Sequence, residues 1–149
     1  MAPFVTAGAG FLLAVLWFDL MFDVQARGHA GAPLPERVLT SIAGYYRRVT
    51  TDARPMNRLV AAVMLATTAA IVAEIAGGQK RSWAGWASLA LTLGAIALAA
   101  AHTVPSAVRL GARRDPPERQ SALARAVLRE HLCCAAAIAA VLVVQLAWA

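Results

Sequence analysis

Three acids and two histidines sit at or near the ends of long apolar stretches, where ionisable side chains are costly. Asp19 and Asp23 lie one helical turn apart near the end of the first stretch, and His102 closes the third. Glu130 and His131 open the membrane part of the fourth, with Cys134 a turn deeper. A charge at mid-bilayer costs about 2.5–3.5 kcal/mol on the insertion scale, so such groups face a bundle interior and have partners. Carboxylates and imidazoles on facing helices suit a divalent transition metal such as Zn, Mn or Fe, which makes Asp19, Asp23, His102, His131 and Glu130 a candidate ligand set. The same positions read as acid–base chemistry, with Asp19, His102, His131 and Glu130 catalytic and Arg47, Arg48, Arg58 and Arg109 holding an anionic headgroup or substrate. A third reading is structural: Asp19 pairs with Arg58, Glu130 pairs with an arginine or histidine, and the pairs fix the bundle register. Asp23 is the shallower of the first two acids and is expected to be solvated.

Glu74 stands apart, near the other end of the second stretch. It reads either as a headgroup-exposed residue paired with Lys80 or Arg81, or as a proton or cation site on a transport path that Gln145 helps to line. His29 falls in a Gly/Ala-rich loop, with no role expected. Cys133 and Cys134 are adjacent and read as small residues packing in a helix, without a disulfide framework. The chain has no HExxH, no Glu-x-x-His, no Cys/His knuckle, no phosphate-cradling glycine loop and no nucleophile elbow.

The elements that must position these residues follow from the apolar runs. Val5–Val24, Leu59–Gly77, Trp83–Ala101 and Leu132–Ala149 each approach the roughly 20 helical residues that cross a bilayer core. With 60% apolar residues in 149, the expected fold is an all-α integral membrane protein: one domain, a four-transmembrane-helix up-down bundle. The net charge of +6 comes from arginines in the connections, which lipid headgroups explain without nucleic acid. Arginines crowd the first and third connections, while the second holds only Lys80 and Arg81. The positive-inside rule then puts those two connections in the cytoplasm and both termini outside. The Arg- and Ala-rich composition points to a bacterial plasma (inner) membrane. Trp83, Trp86 and Trp148 are expected at the outer interface, and Tyr45 and Tyr46 at the inner one. The N-terminus lacks a basic n-region, so the first stretch is expected to remain as a span.

In the first connection Val38, Ile42, Tyr45 and Val49 recur at helical period behind Pro35. This predicts a short amphipathic helix over 35–49, lying on the membrane surface. Asp115-Pro116-Pro117-Glu118 carries N-terminal helix signals, so the last helix is expected to start there and run to Ala149. Pro105 should kink or end the third span, and Gly111 should stop the turn that follows. Gly8, Ala66, Ala70 and Gly94 are expected at helix–helix contacts.

The topology is similar to that of small four-span membrane enzymes of the glutathione and eicosanoid type, which also have a basic first cytoplasmic loop. Of their Arg-x-x-Asn-x-x-Glu run, Arg54 and Asn57 are present and Val60 stands at the acidic position. The likeness is architectural. The function expected is a membrane-embedded enzyme acting on an amphiphilic or lipid-soluble substrate at the cytoplasmic leaflet. Two alternatives stand beside it: a small oligomeric proton- or ion-coupled transporter or channel using Asp19 and Glu74, or a non-catalytic subunit of a larger membrane complex. The partners expected are membrane lipids, a lipid-like substrate and further copies of the chain.

Overall fold

In the computed structural model, which describes residues 1–29, 33–78 and 82–148, apolar residues that cannot be solvated one by one are gathered into helices. The helices are α1 (Ala2–Asp23), α2 (Glu36–Arg47), α3 (Arg54–Ala76), α4 (Ser82–Leu98), α5 (Val104–Ala112) and α6 (Pro117–Trp148). Four continuous helical stretches are long and apolar enough to cross a membrane: Ala2–Ala26, Pro55–Ala76, Trp83–Ala112 and Pro117–Trp148. The third joins α4 to α5. By length and composition this is a multi-pass membrane protein.

The four spans form a ring. α1 packs on α3 and α6, α4 packs on the same two, and among the described residues neither diagonal pair is in direct backbone contact. A membrane core of Val5, Ala9, Leu12, Ile71, Ala95, Ile138 and Val141 fills one half. Gly8 and Gly85 are the close-approach points. A Cβ on Gly8 would sit 2.0 Å from Thr67 Oγ1, and one on Gly85 would sit 2.7 Å from Ile75 Cγ1. Ala70 packs against the core, whereas Ala66 is exposed. Gly94 is also exposed, with open space where its Cβ would be, so the expectation of helix contacts at Ala66 and Gly94 is corrected. Trp83 and Trp148 meet at 5.5 Å between ring centroids, which puts the start of α4 and the end of α6 at one end of the bundle.

The opposite end is capped by α2, α5 and the first turns of α6. The helix forms where its stripe predicts, but its apolar face does not lie on a membrane surface. Val38, Leu39, Ile42 and Tyr46 are buried against Ala107, Leu110, Ala124 and Val127 in a second core. The reason is the length of α6. Its 32 residues extend about 48 Å at 1.5 Å each, beyond what a bilayer core needs, and the surplus turns offer α2 a protein surface. The Leu34 amide donates to Ser121 Oγ at 2.8 Å, tying the chain before α2 to that surface.

Pro105 does not end the third span. A π-helical turn over Ala99–Thr103 precedes it, and α5 continues from Val104 with the proline in its first turn. The wider turn absorbs the residue whose hydrogen bond the proline cannot make. Gly111 does not stop α5 either. That role falls to Arg113, whose φ of 53° is left-handed and whose guanidinium pairs with Glu36 at the start of α2. Gly111 is a crossing point instead: its Cβ would lie 2.7 Å from the Arg47 backbone nitrogen.

Candidate functional site

Where the membrane half meets the cap, α1, α2 and α6 bring two acids, two tyrosines and one histidine together. Asp23 is wholly buried. Tyr46 Oη donates to its Oδ1 at 2.5 Å, and His131 Nδ1 meets its Oδ2 at 2.6 Å. Each carboxylate oxygen therefore has one close donor. Asp19, one turn along α1, accepts from Tyr45 Oη at 2.6 Å. Tyr45 stacks on Phe22 at 4.1 Å and meets Tyr46 edge-on at 5.3 Å, so α2 holds both phenols in fixed positions.

The expectation that Asp23 is solvated is corrected: the cap covers it. The acid expected to need a cation, Asp19, is served by Tyr45 and by His131, not by Arg58, which is exposed. Tyr45 and Tyr46 were expected at the interface as belt residues. Tyr46 is 2% exposed and is part of the cluster, so its side chain faces the protein interior and not lipid. A tyrosine hydroxyl buried in a membrane protein needs an acceptor. Two turn-spaced acids opposite two tyrosines on an amphipathic helix were the signal in the sequence.

His131 Nε2 lies 3.9 Å from Asp19 Oδ2. That is too long for a direct hydrogen bond and short enough for one bound atom to touch both. Asp19 and His131 also line two cavities. The first, about 270 Å³, is otherwise walled chiefly by apolar side chains including Leu12, Leu16, Met64, Ile96 and Ile138, with Thr92, Thr103 and Cys134. The second, about 360 Å³, reaches past Tyr45, Tyr46 and Thr50 to Met56 and Asn57 at the start of α3. Their volumes approach or fall within the roughly 300–1,000 Å³ of ligand sites.

The rest of the expected set is not drawn in. His102 is exposed on the π turn, and Glu130 lines neither cavity. Glu130 Oε2 is buried without a hydrogen-bond partner among the described residues. Among the described residues no group of three or more His, Cys, Asp or Glu side chains could hold a metal ion. The metal reading of Asp19, Asp23, His102, His131 and Glu130 therefore finds no support among the described residues: His131 Nδ1 is held by Asp23, His102 is exposed and Glu130 lines neither cavity. Of the arginines, Arg109 is taken by Asp115 at 2.8 Å and Arg47 lies 3.8 Å from Asp52. Arg48 and Arg58 are exposed. Cys133 is exposed, and Cys134 is buried with its Sγ 3.7 Å from the Ala95 carbonyl.

At the far end of the bundle Glu74 is 4% exposed, which corrects its reading as a headgroup-exposed residue. Gln145 Nε2 reaches its Oε1 at 3.4 Å. Lys80 and Arg81, its expected partners, and Ala149, the expected end of the last span, lie outside the described residues.

Burial raises both phenols well above the ordinary tyrosine range. For Tyr45 the hydrogen bond to Asp19 and then its charge add to this; for Tyr46 the Asp23 charge and then its hydrogen bond do so. An unfolded phenol ionises near pH 10, so the contribution of these groups to stability is complete below about pH 10 and falls above it. They are the protein's two tyrosines. Near-ultraviolet titration of the folded protein should therefore show no tyrosinate up to about pH 12, against full ionisation centred near pH 10 in denaturant. A folded-state titration near pH 10 would place the phenols in water.

No protein-family model, no curated protein and no solved structure matches the chain. What the fold and composition define is a class: a small polytopic membrane protein with four candidate spans.

Proposed function

We propose that the protein is a membrane-embedded enzyme that carries out proton-transfer chemistry on an amphiphilic or lipid-soluble substrate. The observation that carries this reading is the Asp23–His131 pair at the wall of an apolar cavity. A carboxylate bound to one imidazole nitrogen fixes the tautomer and leaves the other nitrogen free to take or give a proton. His131 Nε2 is that nitrogen, Asp19 is the second acid–base group, and Tyr45 and Tyr46 position the two acids. The substrate's apolar body occupies the cavity between the spans, and its polar group lies between His131 Nε2 and Asp19. A headgroup extending through the second cavity would emerge near Arg47, Arg48 and Arg58. The arginine-rich connections favour placing this end in the cytoplasm and both termini outside.

The test is to incubate the purified protein with a total lipid extract of the cells that encode it and to follow all masses. Wild type should convert at least one lipid-soluble species. His131→Gln and Asp23→Asn should each slow that conversion by about 100-fold or more, the usual scale of a lost general acid or base. Conversion by His131→Gln at the wild-type rate, or no conversion by wild type, would overturn the reading.

A further inference from the structure

A second buried polar cluster lies on the bundle axis, away from His131. Glu74 of α3, Ser88 of α4 and Gln145 of α6 are 4%, 0% and 3% exposed. α3 and α6 are diagonal in the ring, so Glu74 and Gln145 reach across its centre to meet. Gln145 Nε2 has two hydrogens, and it donates to Glu74 Oε1 at 3.4 Å and to Ser88 Oγ at 3.1 Å. Its donors are then used up. Two acceptors remain without a partner among the described residues, Glu74 Oε2 and Gln145 Oε1. A buried carboxylate oxygen and a buried amide oxygen both require positive charge or a donor, and an unmet buried acceptor is costly. No arginine, lysine or histidine among the described residues forms an ion pair with Glu74.

We propose that Glu74, Gln145 and Ser88 form an intramembrane binding site for a small monovalent cation of the Na⁺ type. The donor set is all oxygen, which suits a hard cation and not a soft one. Charge selects the valence. One carboxylate and one monovalent cation leave the bundle axis neutral, whereas a divalent cation would leave an uncompensated positive charge at membrane depth. The cation takes up both unmet acceptors at once. A proton is the competing occupant, because a carboxyl Oε2–H on Glu74 could donate to Gln145 Oε1, and the experiment separates the two. This site does not depend on the chemistry proposed for His131.

Na⁺ itself is the probe, with the full chain purified in detergent and choline as the inert replacement cation at equal ionic strength. Dicyclohexylcarbodiimide attacks a buried carboxyl that no cation holds, and peptide mass analysis reports modification at Glu74. About 100 mM Na⁺ should reduce that modification by about fivefold or more relative to choline, as expected of a site that fills at this concentration. It should also raise the thermal midpoint by about 2–4 °C in wild type and not in Glu74→Gln. Equal modification in the two salts overturns the proposal and marks the occupant as a proton. If Glu74 reacts in neither salt, the midpoints decide: a sodium-dependent rise confined to wild type supports the site, and coincident midpoints overturn it.

Discussion

Asp23→Ala is expected to destabilise the protein by about 3–5 kcal/mol, the scale for removing one partner of a buried pair. The cause is what stays behind. Tyr46 Oη and His131 Nδ1 both lose their acceptor in a place where the cap keeps water out. Tyr46 keeps only its 3.4 Å contact with His131 Nδ1, which can accept from it only if the imidazole proton moves to Nε2. Asp23→Asn should cost less, since one amide oxygen still accepts a hydrogen bond. It must, however, point its amide hydrogens at one of the two former donors, which forces either Tyr46 to turn away or His131 to change tautomer. Asp19→Asn should be milder than either, because Asp19 is partly exposed and the Tyr45 hydroxyl can still donate to it. Thermal unfolding in one detergent, with the three variants side by side, checks the order. If Asp23→Ala unfolds within about 0.5 kcal/mol of wild type, as an ordinary surface substitution does, Asp23 is not buried as described.

Gly111→Leu is expected to have the largest effect of any single change in the cap. Even a Cβ at this position would lie 2.7 Å from the Arg47 nitrogen, 2.9 Å from its Cα and 3.1 Å from the Tyr46 carbonyl carbon. Those are backbone atoms and cannot rotate away. Alanine alone should cost about 1–3 kcal/mol by overpacking, and leucine more. The effect is transmitted. Moving the end of α2 away from α5 carries Tyr45 and Tyr46 off Asp19 and Asp23. Phenol ionisation in Gly111→Leu should therefore shift down towards pH 10 while the spans stay helical. A leucine variant with wild-type stability and silent tyrosines would contradict the crossing.

The spans were legible because length and apolarity are properties of the chain itself. Twenty apolar residues imply a crossing whatever surrounds them. Contacts were less legible. The stripe Val38–Ile42–Tyr45 announced a helix with a buried face, but period says nothing about what buries it, and the surplus length of α6 decided that. Depth counted along α1 put Asp23 towards water because the sequence does not show that the chain folds back to cover it. Small residues marked close approach at Gly8 and Gly85 but not at Gly94, since a glycine suits a contact without requiring one. The π turn before Pro105 leaves no periodic trace. His131 could be named from its type and depth. His102, of the same type and near the same depth, lies exposed on the π turn after α4, whose register the sequence does not reveal.

The measurement that bears most directly on the Asp23–His131 pair is the tautomer of His131 in lipid bilayers. With His29 and His102 replaced by glutamine, His131 is the chain's single histidine, and both replaced residues lie outside the cluster. Nitrogen NMR of the labelled imidazole should show Nδ1 carrying a strongly hydrogen-bonded proton, slow to exchange with water, and that signal should be lost in Asp23→Ala. An Nε2–H tautomer, or an Nδ1 proton that exchanges freely, would mean that Asp23 does not hold His131 at the cavity wall.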